Sequence, residues 1–238
     1  MDCRFWGQTD RGLRRENNQD TFLINKSLGL FVVADGMGGH QGGEVASAMA
    51  VSSMEAAVKA AKNLDLPRDV LNRSYSEASS AIFERAANSS ENLQGMGTTM
   101  VAALLRDKTI FVANVGDSRC YLFAKGNLFQ MTEDHSLLYE QYRAGLITEA
   151  EKNSKTRKNV ITRSVGYFRE VECDIVEREV QGGESYLFCT DGLTNMVKDE
   201  VIERILIETP SAGIVPRLIE EAKANGGDDN VTVMLLQF

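Results

Sequence analysis

Residues 98–131 read TTMVAALLRDKTIFVANVGDSRCYLFAKGNLFQM, and the way this stretch is punctuated decides the fold. Four runs, Thr98 to Leu105, Thr109 to Val115, Arg119 to Phe123 and Leu128 to Met131, carry the apolar, β-branched and aromatic residues that suit strands. The spacers Arg106-Asp107-Lys108, Gly116-Asp117-Ser118 and Lys125-Gly126-Asn127 hold three residues each. A parallel crossover needs roughly a dozen residues or more. Spacers this short suit antiparallel hairpins instead. The section is predicted to be an antiparallel meander, which excludes a doubly wound parallel sheet.

Reading outward, Cys3 to Thr9, Asp20 to Ile24 and Leu28 to Asp35 are predicted strands on the N-terminal side. The run Leu30-Phe31-Val32-Val33-Ala34 is apolar at every position, so its strand should be buried on both faces. Gly36 to Gly43 holds five glycines in eight residues, and a helix from about Glu44 to Lys62 is expected after it. Pro67 opens a second helix to about Ala87. On the C-terminal side, Ser136 to Ala144 reads as a helix, Cys173 to Val180 and Tyr186 to Cys189 as strands, Glu200 to Glu208 and Ile214 to Ala224 as amphipathic helices with Ser211 as a cap, and Val231 to Leu236 as the last strand. Antiparallel strands with helix pairs drawn from separate chain regions predict an α+β fold. It is a four-layer α/β/β/α sandwich of two stacked, mainly antiparallel sheets with a helix pair outside each.

The chain has 238 residues, of which 43% are apolar, with only three prolines and no linker-like run. A single domain over residues 1–238 is expected. The formal net charge of -8 argues against nucleic acid, which needs a basic footprint. The same charge would repel phosphorylated substrates unless cations sit in the site. No two of the four cysteines have metal-ligand or redox-motif spacing. The first residues lack the order of a signal peptide, and no apolar run is long enough to span a bilayer. A cytoplasmic monomer without a membrane segment is expected.

The chemistry lies in aspartates at strand ends. Asp35-Gly36 follows Phe31 to Ala34, Gly116-Asp117 follows Phe111 to Val115, and Asp191-Gly192 follows Tyr186 to Cys189. Asp228-Asp229-Asn230 precedes Val231, and Asp20 starts its own strand. Each site alone is an ordinary turn. Five of them beside the most apolar strands need compensation for desolvation. Carboxylate and carbonyl oxygens suit Mg²⁺ or Mn²⁺, and two such ions can hold a hydroxide between them as an in-line nucleophile. Zinc is disfavoured, because only His40 and His135 are available.

These residues carry a resemblance. Thr9-Asp10-Arg11-Gly12 through Arg15 to Asp20, Val33-Ala34-Asp35-Gly36-Met37-Gly38-Gly39-His40, Gly95-Met96-Gly97-Thr98-Thr99, Asn114-Val115-Gly116-Asp117-Ser118-Arg119, Thr132-Glu133-Asp134-His135-Ser136, Cys189-Thr190-Asp191-Gly192-Leu193 and Asp228-Asp229-Asn230-Val231-Thr232 stand in family order. The chain resembles the metal-dependent protein phosphatases, the PPM or type 2C family, in its compact bacterial form.

The resemblance implies a serine/threonine phosphatase that acts on phosphoproteins and opposes a bacterial serine/threonine kinase. It implies that Asp35 bridges two Mn²⁺ or Mg²⁺ ions. Asp191 and Asp229 complete one ion's ligands, and the Gly36 carbonyl and Asp20 serve the other. Arg15 grips the substrate phosphate with its planar fork, and Asp117 with Asp191 holds a third, weaker ion. Residues 141–166, with Lys152, Lys155, Arg157, Lys158 and Arg163, match the family's variable flap. Gln19 stands where some members carry glutamate, and Met37 where others place a histidine proposed to protonate the leaving alcohol. Those two departures keep a second reading in view, a catalytically weak phosphoprotein-binding regulator on the same fold.

Overall fold

The structure is a computed structural model that describes residues 3–62, 65–89, 93–152 and 160–238, apart from the side chains of residues 40 and 41. Lys155, Arg157, Lys158 and the His40 side chain lie outside the described residues. In chain order the elements are β1 (Arg4–Asp10), β2 (Asp20–Asn25), β3 (Leu30–Met37), α1 (Gly39–Ala60), α2 (Pro67–Ala87), β4 (Gly97–Thr98), β5 (Met100–Arg106), β6 (Thr109–Val115), β7 (Arg119–Ala124), β8 (Asn127–Gln130), α3 (Leu137–Arg143), α4 (Glu149–Lys152), β9 (Asp174–Glu179), β10 (Ser185–Cys189), α5 (Asp191–Thr194), α6 (Asp199–Glu208), α7 (Ser211–Ala224) and β11 (Val231–Gln237).

Two sheets form, ordered β1-β11-β10-β7-β8 and β2-β3-β5-β6-β9, with β4 added to β3. Every ladder between the named strands is antiparallel. Three apolar clusters separate four layers. Leu30, Val32 and Ala34 of β3 pack with Met54, Leu71 and Tyr75 of α1 and α2. Phe31 and Val33 point the other way, into a cluster with Phe188 and Met234 from the second sheet. Leu187, Val233 and Leu235 then meet Ile202, Leu218 and Ile219 of α6 and α7. Alternation along each strand feeds both interfaces, which is why these runs are apolar at every position.

Three details depart from expectation. First, the residues 98–131 do not form one meander. The segments β5–β6 and β7–β8 are hairpins in different sheets, and residues 116–118 carry the chain between them. Gly116 has φ +105°, and a Cβ there would stand 2.5 Å from Thr99 Cβ, so the crossing packs too tightly for a side chain. Second, α1 starts at Gly39, ahead of Glu44. Gly38 and Gly39 make the turn with positive φ, while Gly42 and Gly43 are helical. Gly43 is needed for close approach, since a Cβ there would meet the Gly36 carbonyl oxygen at 2.6 Å. Third, Ser211 is the first helical residue, and the cap position is Pro210.

The antiparallel registers bring the end of β3, the start of β2, the end of β6, the end of β10 and the start of β11 to one rim of the sandwich. The five aspartates stand there. Among the described residues no helix is long and apolar enough to cross a membrane.

Candidate active site

Asp20 and Asp35 are direct cross-strand partners. Like charges placed so destabilise a ladder. Asp20 is 7% exposed as a residue. Its Oδ2 accepts from the hydroxyls of Thr190 at 2.9 Å and Thr232 at 2.7 Å, and its Oδ1 has no partner. Burial raises its pKa to about 7, with Asp191 and Asp229 pushing the same way against the two hydroxyls.

Asp35 is fixed through its backbone. Its N–H donates to Thr99 Oγ1, and its carbonyl accepts from Thr98 Oγ1 and the Thr99 N–H. Its carboxyl is held well above the ordinary range by burial, then by the charges of Asp20, Asp191, Asp117 and Asp229. The next residue, Gly36, donates its N–H to the Gln19 carbonyl at 3.1 Å. A Cβ at Gly36 would lie 1.9 Å from the Gly43 carbonyl oxygen, so only glycine lets the rim turn here. Met37 ends β3 and has no proton to donate.

Asp191 is the first residue of α5. Its Oδ2 accepts from Asn195 at 2.9 Å, and its Oδ1 is buried without a partner. Burial and Asp229 raise its pKa, while the nearby Asp35 carboxyl, the hydrogen bond from Asn195 and the charge of Arg15 lower it. Asp117 is 3% exposed with Oδ2 unpartnered. Burial raises it first, then Asp191 and Asp134, against Arg119. Asp229 receives Arg15 Nη2 at 2.6 Å and the Asn230 N–H at 2.8 Å.

Arg15 sits on the loop between β1 and β2, and Asn230 anchors that loop. The Asn230 Nδ2 donates to the carbonyls of Arg11 and Asn17, both at 2.9 Å, and its Oδ1 accepts the Gln19 N–H at 2.8 Å. The Gln19 side chain donates to the Gly39 carbonyl at 2.9 Å, a bond that glutamate in its charged form could not make. Sequence reasoning missed Thr190 as a support of the Asp20 carboxylate and Thr99 as a support of the Asp35 backbone. Their signal was position: Thr190 lies between the end of β10 and Asp191, and Thr99 stands just before β5, the strand that pairs with β3.

Among the described residues no three His, Cys, Asp or Glu side chains are gathered into a ready coordination shell. The donors nevertheless fit hard divalent cations. Three buried carboxylate oxygens, on Asp20, Asp117 and Asp191, point at no hydrogen-bond donor. The carboxyls raise one another's pKa through space, and all the donors are oxygens. A cation at this rim would satisfy the oxygens and relieve the repulsion together.

Comparison with known proteins agrees with this chemistry. The family model described as Protein phosphatase 2C matches residues 11–218. Serine/threonine phosphatase stp of Listeria welshimeri is 39% identical over 237 residues, covering 97% of this chain and 94% of that protein. The crystal structure of Mycobacterium tuberculosis serine/threonine phosphatase PstP/Ppp superposes with a TM-score of 0.92 at 35% identity, covering 99% of this chain and 98% of that one. The PstP catalytic domain in complex with two manganese ions gives 0.88 at 35% identity, covering 99% and 97%. The chain belongs to the protein phosphatase 2C family, the metal-dependent serine/threonine protein phosphatases.

Proposed function

We propose that this chain hydrolyses phosphoserine and phosphothreonine in proteins, at the rim where Asp20, Asp35, Gly36, Asp117, Asp191 and Asp229 meet Arg15. The observation that carries the reading is the set of buried, unpartnered carboxylate oxygens beside an arginine fork. Divalent cations, Mn²⁺ or Mg²⁺, would supply positive charge against the phosphoryl group and a water of lowered pKa as in-line nucleophile. Asp35, Asp191, Asp229, Asp20 and the Gly36 carbonyl would hold two of them, and Asp117 with Asp191 a third, weaker one.

The protein's own contributions follow from the geometry. Arg15 is half-exposed, so its guanidinium can reach solvent-borne phosphate while Asn230 holds its loop. Two parallel N–H donors match two phosphate oxygens. The threonine hydroxyls on Asp20 and the Asn195 amide on Asp191 fix carboxylate orientation, which outer hydrogen bonds do for any oxygen ligand.

Residues 1–238 act as one catalytic domain, with 141–166 as a flap beside the site. The reading extends to a cytoplasmic monomer that opposes a serine/threonine kinase. The test is phosphate release from a phosphothreonine peptide with Mn²⁺ present and again after chelation. Release that stops on chelation supports the reading, and no release from folded, Mn²⁺-loaded protein overturns it.

A further inference from the structure

His135 joins two parts of the molecule that the chain does not join. Its ring is 7% exposed. The Gly116 N–H donates to its Nδ1 at 3.0 Å. A backbone N–H can only donate, so Nδ1 carries no proton and the neutral ring is protonated at Nε2. That N–H therefore points at Asp174 Oδ2, 3.1 Å away. The other oxygen of Asp174 accepts from Arg163 Nη1 at 2.9 Å. The backbone repeats the link, since the His135 N–H donates to the Gly116 carbonyl and its carbonyl accepts from Thr162, both at 2.9 Å. Ser136 then bridges Ile161.

One end of this chain of contacts is the returning arm of the segment assigned as flap, at residues 161–163. The other is the crossing turn whose next residue is Asp117. Gly116 has little freedom of its own. It sits at positive φ against Thr99, whose hydroxyl contacts Ser118 at 2.7 Å and accepts the Asp35 N–H. A displacement of the His135 ring is therefore passed to the backbone that carries Asp117, and packed interiors transmit such shifts.

We propose that His135 is a positioning residue that sets the Asp117 carboxylate according to how Arg163 and Asp174 anchor the flap arm. The proposal rests on the phosphatase reading for its kinetic consequences and on geometry alone for its structural ones. Asp174 is half-exposed at the start of an edge strand, so Asp174→Ala can break the relay while the core stays intact.

Two measurements test it. The first needs no turnover. The chain has two histidines, so nitrogen-15 spectra resolve the His135 ring. Wild type is expected to show Nε2–H with Nδ1 bare, and Asp174→Ala to move the amide signals of Gly116 and Asp117. Unmoved signals, or a ring protonated at Nδ1, would overturn the relay even if the chain is an active phosphatase. The second is kinetic. Asp174→Ala should lower kcat about tenfold with KM for a phosphothreonine peptide unchanged. In an Asp117→Asn background the same change should do nothing further. Effects that multiply in the two backgrounds, or a change confined to KM, would show that Asp174 does not act through Asp117 and would overturn the relay. His135→Asn retains an acceptor placed like Nδ1 and should match Asp174→Ala; His135→Gln loses it and should lower kcat further.

Discussion

Two clusters of buried charge adjoin where the strands end, and they are built in opposite ways. Around Arg119 every charge is answered. Its guanidinium donates to both oxygens of Asp134, at 2.7–3.1 Å, and to the Tyr121 hydroxyl at 2.8 Å. Tyr121 donates on to Asp199, and Gln130 donates to Asp134. At the rim, Asp20, Asp117 and Asp191 each leave one oxygen without a donor. Sequence gives both clusters the same residue types. A buried charge paired inside the protein supports the fold, and one left unpaired keeps its free energy for something that arrives from outside.

Removing a charge should therefore have opposite outcomes in the two clusters. Arg119→Met leaves Asp134 buried without its partner and is expected to cost about 3–5 kcal/mol of stability, read as a lower denaturation midpoint in urea. A variant as stable as wild type would erase the distinction. Asp191→Asn removes a charge from a repelling group. The chelated protein should melt no lower than wild type, while phosphate release falls about 10²–10³-fold. A folded Asp191→Asn enzyme with unchanged turnover would place the chemistry elsewhere.

How much of this was legible follows the same divide. Runs such as Leu30 to Ala34 announced strands buried on both sides, because alternate residues feed two interfaces and all must be apolar. Aspartate beside glycine at strand ends announced the rim. The spacers at 106–108, 116–118 and 125–127 looked alike in length, yet the middle one changes sheets. Length fixes how far a turn reaches, and packing against Thr99 fixes where it goes. The start of α1 at Gly39 was hidden for a related reason. Glycine is a poor helix former, and it is close packing of Gly42 against Met96 and of Gly43 against Gly36 and Gln19 that makes bareness useful in this first turn. The link from His135 to Gly116 spans nineteen residues and has no local signature.

The measurement that tests the account most directly is the melting temperature of the chelated protein against pH, with and without Mn²⁺. Folding holds Asp20 at about 7 and pushes Asp35, Asp117 and Asp191 upward, from an ordinary value of 3.8. The folded state therefore binds more protons than the unfolded chain between these values. The stability this confers is fully present below about pH 4 and is lost as pH rises through about 7. Acid loss of the other carboxylate contacts overlies the lower part of that window, so the comparison belongs in its upper part. A cation takes the place of the protons and binds only the folded rim. The account predicts a melting temperature that falls from about pH 5.5 to about pH 8 after chelation and is restored by Mn²⁺ at the higher pH. A melting temperature indifferent to pH over that range and to Mn²⁺ would contradict it.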